Sequence, residues 1–395
     1  MACSKTYLMH KNIIVAEVKN TLFVKKIINI TNKSHLPVGC YNDNPNIMEQ
    51  LYAKWIANRI IPDNRQNLNN IISKLKLTPN ELFIKSLGVS LTDCYWFKPE
   101  DSNLTWEDVN FYDNGFDETL ADISLFDNFN IAVSSNTTNT HNPDITTNGA
   151  LPKGWKVLNE EPLLIKQGGD YNILCANEII ASNIATLLKI SHVPYYQIKI
   201  NKQHLCCCPC IIKDNNTEMV SALQINHEYM GNGDSSPAFT YINNNFKDEL
   251  KDLLLFHVLI HNTDGHELNI SLLRNSDTLE YIGLAPAYDN GTSLGSCYIE
   301  NGQIISEIQI KRTDTMKSFF KSQNEILNYI GKDIIKYKLP DITQLIKIIK
   351  NVYKEFNIPD NLTCNAIENL TNNYNHIKQK QIQFKKEHYY DCYER

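Results

Sequence analysis

Asp264, Asn269 and Asp289 are the residues of this sequence whose types and spacing could do chemistry. The first two fall in His261-Asn262-Thr263-Asp264-Gly265-His266-Glu267-Leu268-Asn269-Ile270, after an apolar run and before Ser271-Leu272-Leu273. An Asp placed at an alcohol orients it and accepts its proton, while an Asn five residues on offers a neutral carbonyl oxygen to a hard cation. Further along, Leu279 to Leu284 runs as an apolar strand into Ala285-Pro286-Ala287-Tyr288-Asp289-Asn290-Gly291. Asp289 thus stands at a strand end, the placement of a carboxylate that holds a divalent cation against phosphate oxygens. Alone, Asp264 and Asn269 fit equally a helix stop in which both cap a turn around Gly265. The second acidic turn favours chemistry.

Upstream, Lys166 closes the apolar run Leu163-Leu164-Ile165, and Glu178 follows twelve residues later in a stretch of helical period. A cation there could cancel phosphate charge, and a carboxylate could fix its long, flexible stem. A strand-end Lys is also a common snorkelling surface residue. Glu178, among apolar neighbours, would be costly without a partner, and Lys166 is the candidate. Before them, Thr146-Thr147-Asn148-Gly149-Ala150-Leu151-Pro152-Lys153-Gly154 places two glycines in a turn able to cover phosphates. It is not a Walker A sequence, which excludes the P-loop NTPases. Glycine loop, Lys, Glu, Asp-x-x-x-x-Asn and Asp follow one another in the order of parts of a protein kinase.

The elements that must position these groups are legible in outline. Residues 7–30 alternate apolar and polar in short runs, predicting two or three strands. Helical spacing follows at Leu51, Trp55, Ile56 and Arg59-Ile60, at Leu68, Ile71, Ile72 and Leu75, and from Pro79, with Thr78 as N-cap. Ser134 to Asn148 is almost wholly polar and reads as a mobile loop. A hairpin spans Gly154 to Lys166; a helix over Ile173 to Leu188 carries Glu178; strands return at Tyr195–Ile200 and Leu205–Ile212. Helices are expected over Leu250 to His261, Met316 to Ile330, Ile342 to Phe356 and from about Leu362, a β-rich lobe followed by a helix-rich one. His227-Glu228 and Gly231-Asn232-Gly233-Asp234 read as a plain loop. Residues 372–390, with Lys378, Lys380, Lys385 and Lys386, read as the solvated face of a helix.

The chain has 395 residues, beyond the roughly 250–300 at which a single core stops growing, so two or three structural units are expected. With 42% hydrophobic and 21% charged residues it is neither collagen-like nor disordered. Its net charge of −6 supplies no broad cationic face, so direct nucleic-acid binding is not expected. No apolar run approaches the ~18–20 residues of a membrane span and no export signal opens the sequence, so a cytoplasmic protein without membrane association is expected. The 11 cysteines then read as reduced thiols. Cys206-Cys207-Cys208-Pro209-Cys210 lacks a second pair at zinc-ribbon spacing and reads as a buried strand.

Asn262 to Asn269 together with Leu284-Ala285-Pro286-Ala287-Tyr288-Asp289 closely resembles the HipA-like serine/threonine kinases, whose signatures are Asp-x-His-x-x-Asn and Pro-x-Tyr-Asp. Thr147-Asn148-Gly149 through Trp155, Leu164 to Gly169, and Asn177-Glu178 resemble that family's glycine loop, ATP-lysine strand and αC-like pair. Tyr7 to His10, His35 to Gly39 and Ser86 to Asp93 resemble the amino-terminal half of stand-alone Firmicute members. Leu268 stands where many members carry Lys. The resemblance implies an α+β, bilobal protein-kinase-like fold. It comprises an N-terminal accessory region over 1–125, a kinase N-lobe over 126–214 and a helical C-lobe over 215–395. It implies ATP- and Mg²⁺-dependent transfer to Ser/Thr hydroxyls of a protein, with autophosphorylation. Asp264 would be the catalytic base, His266 its loop support, Asn269 and Asp289 the magnesium ligands, and Lys166 the phosphate lysine anchored by Glu178. Gly149 and Lys153 would lie in the nucleotide loop, Ile211 and Ile212 at the adenine hinge, and Thr146 or Thr147 at a regulatory phosphosite. A protein substrate and an antitoxin-like regulator are the implied partners.

Three other functions compete. A pseudokinase would hold nucleotide without turnover, and a phosphotransferase could use the same machinery on a lipid or small molecule. A zinc hydrolase is suggested by His257 and His261 at helical spacing, but Val258 stands where its general-base Glu is needed.

Overall fold

Period-two alternation near the start of the chain gives three consecutive strands, β1 (Thr6–His10), β2 (Ile13–Asn20) and β3 (Lys25–Ile30). The computed structural model describes residues 5–21, 24–126, 141–168, 170–230, 236–296, 299–300, 303–304 and 319–393. Helices α1 (Pro45–Ala57), α2 (Leu68–Leu75) and α3 (Pro79–Lys85) follow. Thr78 caps α3 in a reciprocal box with Glu81, which satisfies two otherwise orphaned N–H groups. Next come β4 (Tyr95–Pro99), α4 (Trp106–Val109), α5 (Thr119–Leu125), β5 (Lys153–Leu158) and β6 (Glu161–Lys166). The β5–β6 turn is Asn159-Glu160, both at positive φ, the backbone a two-residue hairpin of this twist requires.

Beyond β6 lie α6 (Ile173–Leu188), β7 (Tyr196–Ile200), β8 (Gln203–Pro209), β9 (Thr217–Ser221), α7 (Ala222–Glu228), α8 (Pro237–Asn245) and α9 (Lys247–Ile260). They are followed by β10 (Ser271–Asn275), β11 (Tyr281–Leu284), α10 (Gln323–Ile330), α11 (Ile342–Glu355) and α12 (Asp360–Tyr393). The fold is mixed α+β. Two compact units divide it: residues 1–166, 209–238 and 272–283 make one, and 167–208, 239–271 and 284–395 the other.

In the first unit β3-β2-β1-β4 form an antiparallel sheet, and a second sheet has the order β11-β10-β9. Side chains alternate across a strand, so β1 and β4 feed two cores. Leu8, Tyr95 and Phe97 join Tyr52, Trp55 and Phe83 on one face, while Met9 and Trp96 join Trp106, Trp155 and Cys210 on the other. A sheet covered on both faces needs apolar residues at consecutive positions, as Tyr95-Trp96-Phe97 supplies.

In the second unit α6 and α9 are buried over most of their length. Cys206, Cys207 and Cys208 lie in β8 with all three side chains buried, as expected of a covered strand. One face of α12 is packed through Leu362, Ala366, Leu370 and Ile377, and Gln381 donates to the carbonyls of Ile334 and Tyr337 at 2.8 Å each. The lysines of that helix occupy its other positions.

Several local expectations are corrected. His227 and Glu228 end α7, a helix with a Ser221/Gln224 capping box, and are not loop; Glu228 accepts the Gly39 N–H at 2.7 Å. The Gly231 to Asp234 turn lies outside the described residues. Of the loop expected over Ser134 to Asn148, the part to 140 also lies outside them. Pro143–Thr146 instead forms a buried 3₁₀ turn, because Ile145 inserts into the first unit's core. The strand expected through Ile212 ends at Pro209. The helix expected from Met316 begins at Gln323, with residues 305–318 outside those described.

Candidate active site

Helix α9 opens with charged residues, becomes apolar and buried from Leu253 onward, and stops at His261, whose left-handed backbone (φ 52°) turns the chain out of the helix. The turn that follows is built by asparagines. Asn262 Oδ1 accepts the Asp264 N–H at 2.9 Å, and Asn269 Nδ2 donates to the Asp264 carbonyl at 2.9 Å and more distantly to its carboxylate at 3.4 Å. His266 Nε2 lies 3.6 Å from Asp264 Oδ1, and its Nδ1 accepts the Leu268 N–H at 3.2 Å. Asp264 and His266 are about half exposed (43% and 47%), so the carboxylate is open to an incoming group. With its amide nitrogen turned onto Asp264, Asn269 has its oxygen as the remaining acceptor.

The Asp289 turn belongs to the same unit. Tyr288 donates to the Leu268 carbonyl at 2.9 Å and pairs with the Ser271 hydroxyl at 2.9 Å, tying this segment to the end of the Asp264–Asn269 loop. Asp289 adopts φ 56°, a left-handed conformation that Asp tolerates better than most side chains but that must be held in place. The holding contacts are explicit. Its N–H points to Tyr195 Oη at 3.4 Å, and the next N–H, of Asn290, donates to Glu178 Oε2 at 2.8 Å. Asn177 Nδ2 donates to the carbonyls of Gly291 (3.0 Å) and Ser293 (2.9 Å), while its own oxygen accepts from Tyr353 at 2.6 Å. A Cβ on Gly291 would stand 3.0 Å from the Leu174 carbonyl, so glycine permits this close approach to α6.

The two turns are joined. Asn262 Nδ2 donates to Asn290 Oδ1 at 3.0 Å, and the Thr263 N–H donates to the Thr292 carbonyl at 3.0 Å. Asp264, His266, Asn269, Asp289 and Glu178 therefore belong to one hydrogen-bonded assembly. Asn262, Asn290, Tyr195 and Tyr353 were not singled out from the sequence; only the position of Asn262 and Asn290 beside the acidic residues could have flagged them.

Beneath this assembly His257 is buried, with Nε2 3.4 Å from Asn262 Nδ2, and burial pushes its pKa down to about 4. The folded-state value lies below the ordinary 6.5, so the unfolded chain binds the extra proton between these limits. The stability from neutral His257 is full above pH 6.5 and lost as pH falls toward 4, by about 3 kcal/mol in total. Urea midpoints measured from pH 7 to 4.5 are expected to fall, and His257→Asn to flatten that slope. An unchanged slope in the variant would contradict this account.

The first unit holds the remaining candidates. Gly149 has φ 106°, and the Lys153 ammonium occupies the space its Cβ would take, so a cation sits against the open face of the glycine turn. Gly154 serves packing: a Cβ there would meet Ala121 Cα at 2.6 Å. Thr146 is buried and donates to the Val89 carbonyl at 2.8 Å; Thr147 donates to the Pro143 carbonyl at 2.8 Å and accepts from Trp155 Nε1 at 2.9 Å. Lys166 ends β6 and is buried. Ile212 lies in the core beside Cys210, with Ile211 packed against it, and their N–H groups face the Cys210 sulfur. Burial raises that thiol to about 11.

No family model and no curated protein matches the chain. Among solved structures it is similar to HipA of Shewanella oneidensis MR-1, from a toxin–antitoxin system, solved with HipB and its operator DNA. The TM-score is 0.49 at 12% identity, covering 95% of this chain and 99% of that one. It is also similar to the Helicobacter pylori proinflammatory kinase CtkA, with a TM-score of 0.45 at 19% identity, covering 59% of this chain and 93% of that one. No described helix is long and apolar enough to cross a membrane.

Proposed function

We propose that the chain transfers the γ-phosphoryl group of ATP to Ser or Thr hydroxyls of a protein, itself included. The observation that carries this reading is the hydrogen-bonded union of the Asp264–Asn269 loop with the Asp289 turn through Asn262 and Asn290. Such a union keeps a proton acceptor and two oxygen donors in fixed relation, which is most of what phosphoryl transfer asks of a protein. Asp264 accepts the proton of the acceptor hydroxyl, and His266 supports it from the side. Asn269 Oδ1 and the Asp289 carboxylate are hard oxygen donors, suited to Mg²⁺. Bound Mg²⁺ neutralises charge on the nucleotide phosphates. Lys166, Gly149 and Lys153 are assigned to the phosphates and the backbone at Ile211 and Ile212 to the adenine. Glu178 holds the Asp289 turn and is also assigned to Lys166. Thr146 or Thr147 is the assigned regulatory phosphosite, which must leave its present hydrogen bonds to be modified.

An unidentified protein substrate, an antitoxin-like regulator and a cytoplasmic location belong to the same proposal. Its test is incorporation of label from γ-³²P-ATP with Mg²⁺ into the chain or an added protein, with Asp289→Asn alongside. Wild type is expected to label and the variant to lose it. ATP binding without label in wild type would replace this reading with a pseudokinase, and label recovered only in lipid or small molecules would replace the acceptor.

A further inference from the structure

Away from the kinase-like residues, the first unit buries a second set of chemistry-bearing side chains. His10 ends β1, Cys94 immediately precedes β4 and Glu218 lies in β9, so three distant parts of the chain supply them, and all are at most 1% exposed. One imidazole nitrogen, the sulfur and one carboxylate oxygen lie within 4.8 Å of one another. His10 Nε2 and Glu218 Oε2 are 3.2 Å apart. Zinc bonds of ~2.0–2.3 Å in a tetrahedron imply ligand separations of roughly 3.3–3.7 Å; the His10–Glu218 pair already stands near that spacing, and the sulfur lies within 4.8 Å of both.

The surroundings favour the same use. His10 Nδ1 is 2.9 Å from His35 Nδ1. A proton on the His10 nitrogen donates to His35 and leaves the Nε2 lone pair facing the cluster, the arrangement that orients metal-binding imidazoles. Arg274 donates twice to Glu218 Oε1, at 2.7 and 2.5 Å, so Oε2 is the oxygen left toward His10 and Cys94, where it also meets the Cys94 N–H at 3.4 Å. The Asn215 carbonyl oxygen lies 3.6 Å from Cys94 Sγ and offers a further donor. A proton shared between His10 and Glu218 satisfies those two and leaves the sulfur to the Ser276 hydroxyl and its long contact to Asn215. A cation uses all three.

We propose that His10, Cys94 and Glu218 bind a zinc-class divalent cation that cross-links β1, the entry to β4, and β9. On binding, the Cys94 thiol releases its proton to solvent, the His10 ring proton resides on Nδ1, and thiolate and carboxylate together neutralise the cation. Arg274 remains paired with Glu218 outside the coordination sphere.

The test strips the whole chain with a chelator and reloads it with Zn²⁺ or Co²⁺ alone. One equivalent is expected to remain after gel filtration. The Co²⁺ form is expected to show a thiolate-to-metal charge-transfer band, lost in Cys94→Ser and kept in Cys40→Ser, a buried thiol of the same unit. X-ray absorption of zinc-loaded wild type requires no variant to fold, and is expected to read one sulfur among lighter donors. No retained metal, a band that survives Cys94→Ser, or more than one sulfur in the shell overturns the proposal and leaves His10–Glu218–Arg274 as a metal-free ion cluster.

Discussion

Asp264→Asn lowers phosphoryl transfer by roughly 10²–10⁴-fold, the usual contribution of a positioned general base, while leaving the melting temperature near that of wild type. The two halves of this expectation have separate causes. The amide cannot accept the alcohol's proton, yet it is close in shape to the carboxylate. The bonds that build the loop from Asn262 and Asn269 end chiefly on the backbone N–H and carbonyl of residue 264, which the substitution retains. Stopped assays with γ-³²P-ATP at saturating Mg²⁺ read the first half and calorimetry the second. Activity within a few-fold of wild type would remove Asp264 from its assigned role. Loss of activity together with fold would leave the role untouched, and Asp264→Glu then serves as the comparison, since it keeps the charge but moves it by a methylene.

Arg59→Met lowers stability by roughly 3–5 kcal/mol, the cost of stranding one member of a buried charge pair. Arg59 lies just past α1, where its guanidinium pairs with Asp93 and donates to the carbonyls of Gly88 (2.7 Å) and Tyr95 (3.2 Å). It also stacks over Trp55 at 4.6 Å. One side chain thus ties the end of a helix to the turn that launches β4. Methionine is close to the arginine in volume, so the loss combines the stranded Asp93 charge with the two carbonyls left without their donor. Asp93 is left with the Tyr95 N–H at 3.0 Å and no cation. Urea titration measures the deficit. Adding Asp93→Leu should recover much of it, because removing both members of a buried pair costs less than removing one. A single-variant loss under 1 kcal/mol would mean that solvent reaches the pair more freely than its burial indicates.

The sequence announces what is local. The alternation behind β1 to β3, the Thr78 box that starts α3 and the apolar period of α6 each depend on residues within a few positions of one another, and all appear in the structure close to where periodicity puts them. The asparagine turn around Asp264 was visible as a motif, though the same letters also spell a helix stop. What stayed illegible depends on topology. His10 meets Glu218 across 208 positions and Tyr353 meets Asn177 across 176, and no periodicity reports such pairs. Arg59 looked like the last turn of a helix, since a buried arginine and a solvated one are the same letter until Asp93 is folded against it. Ile145 is the opposite lesson: one apolar residue in a polar stretch was enough to anchor it.

Each compact unit is assembled from three separate stretches of the chain. No continuous fragment therefore encodes either one. A truncation ending near residue 166 would lose β9, β10 and β11 from the body that contains β1, and one beginning there would carry those strands without their partners. Subcloning either half alone is expected to yield an aggregation-prone piece, whereas co-expressing the two halves supplies every segment of both units at once.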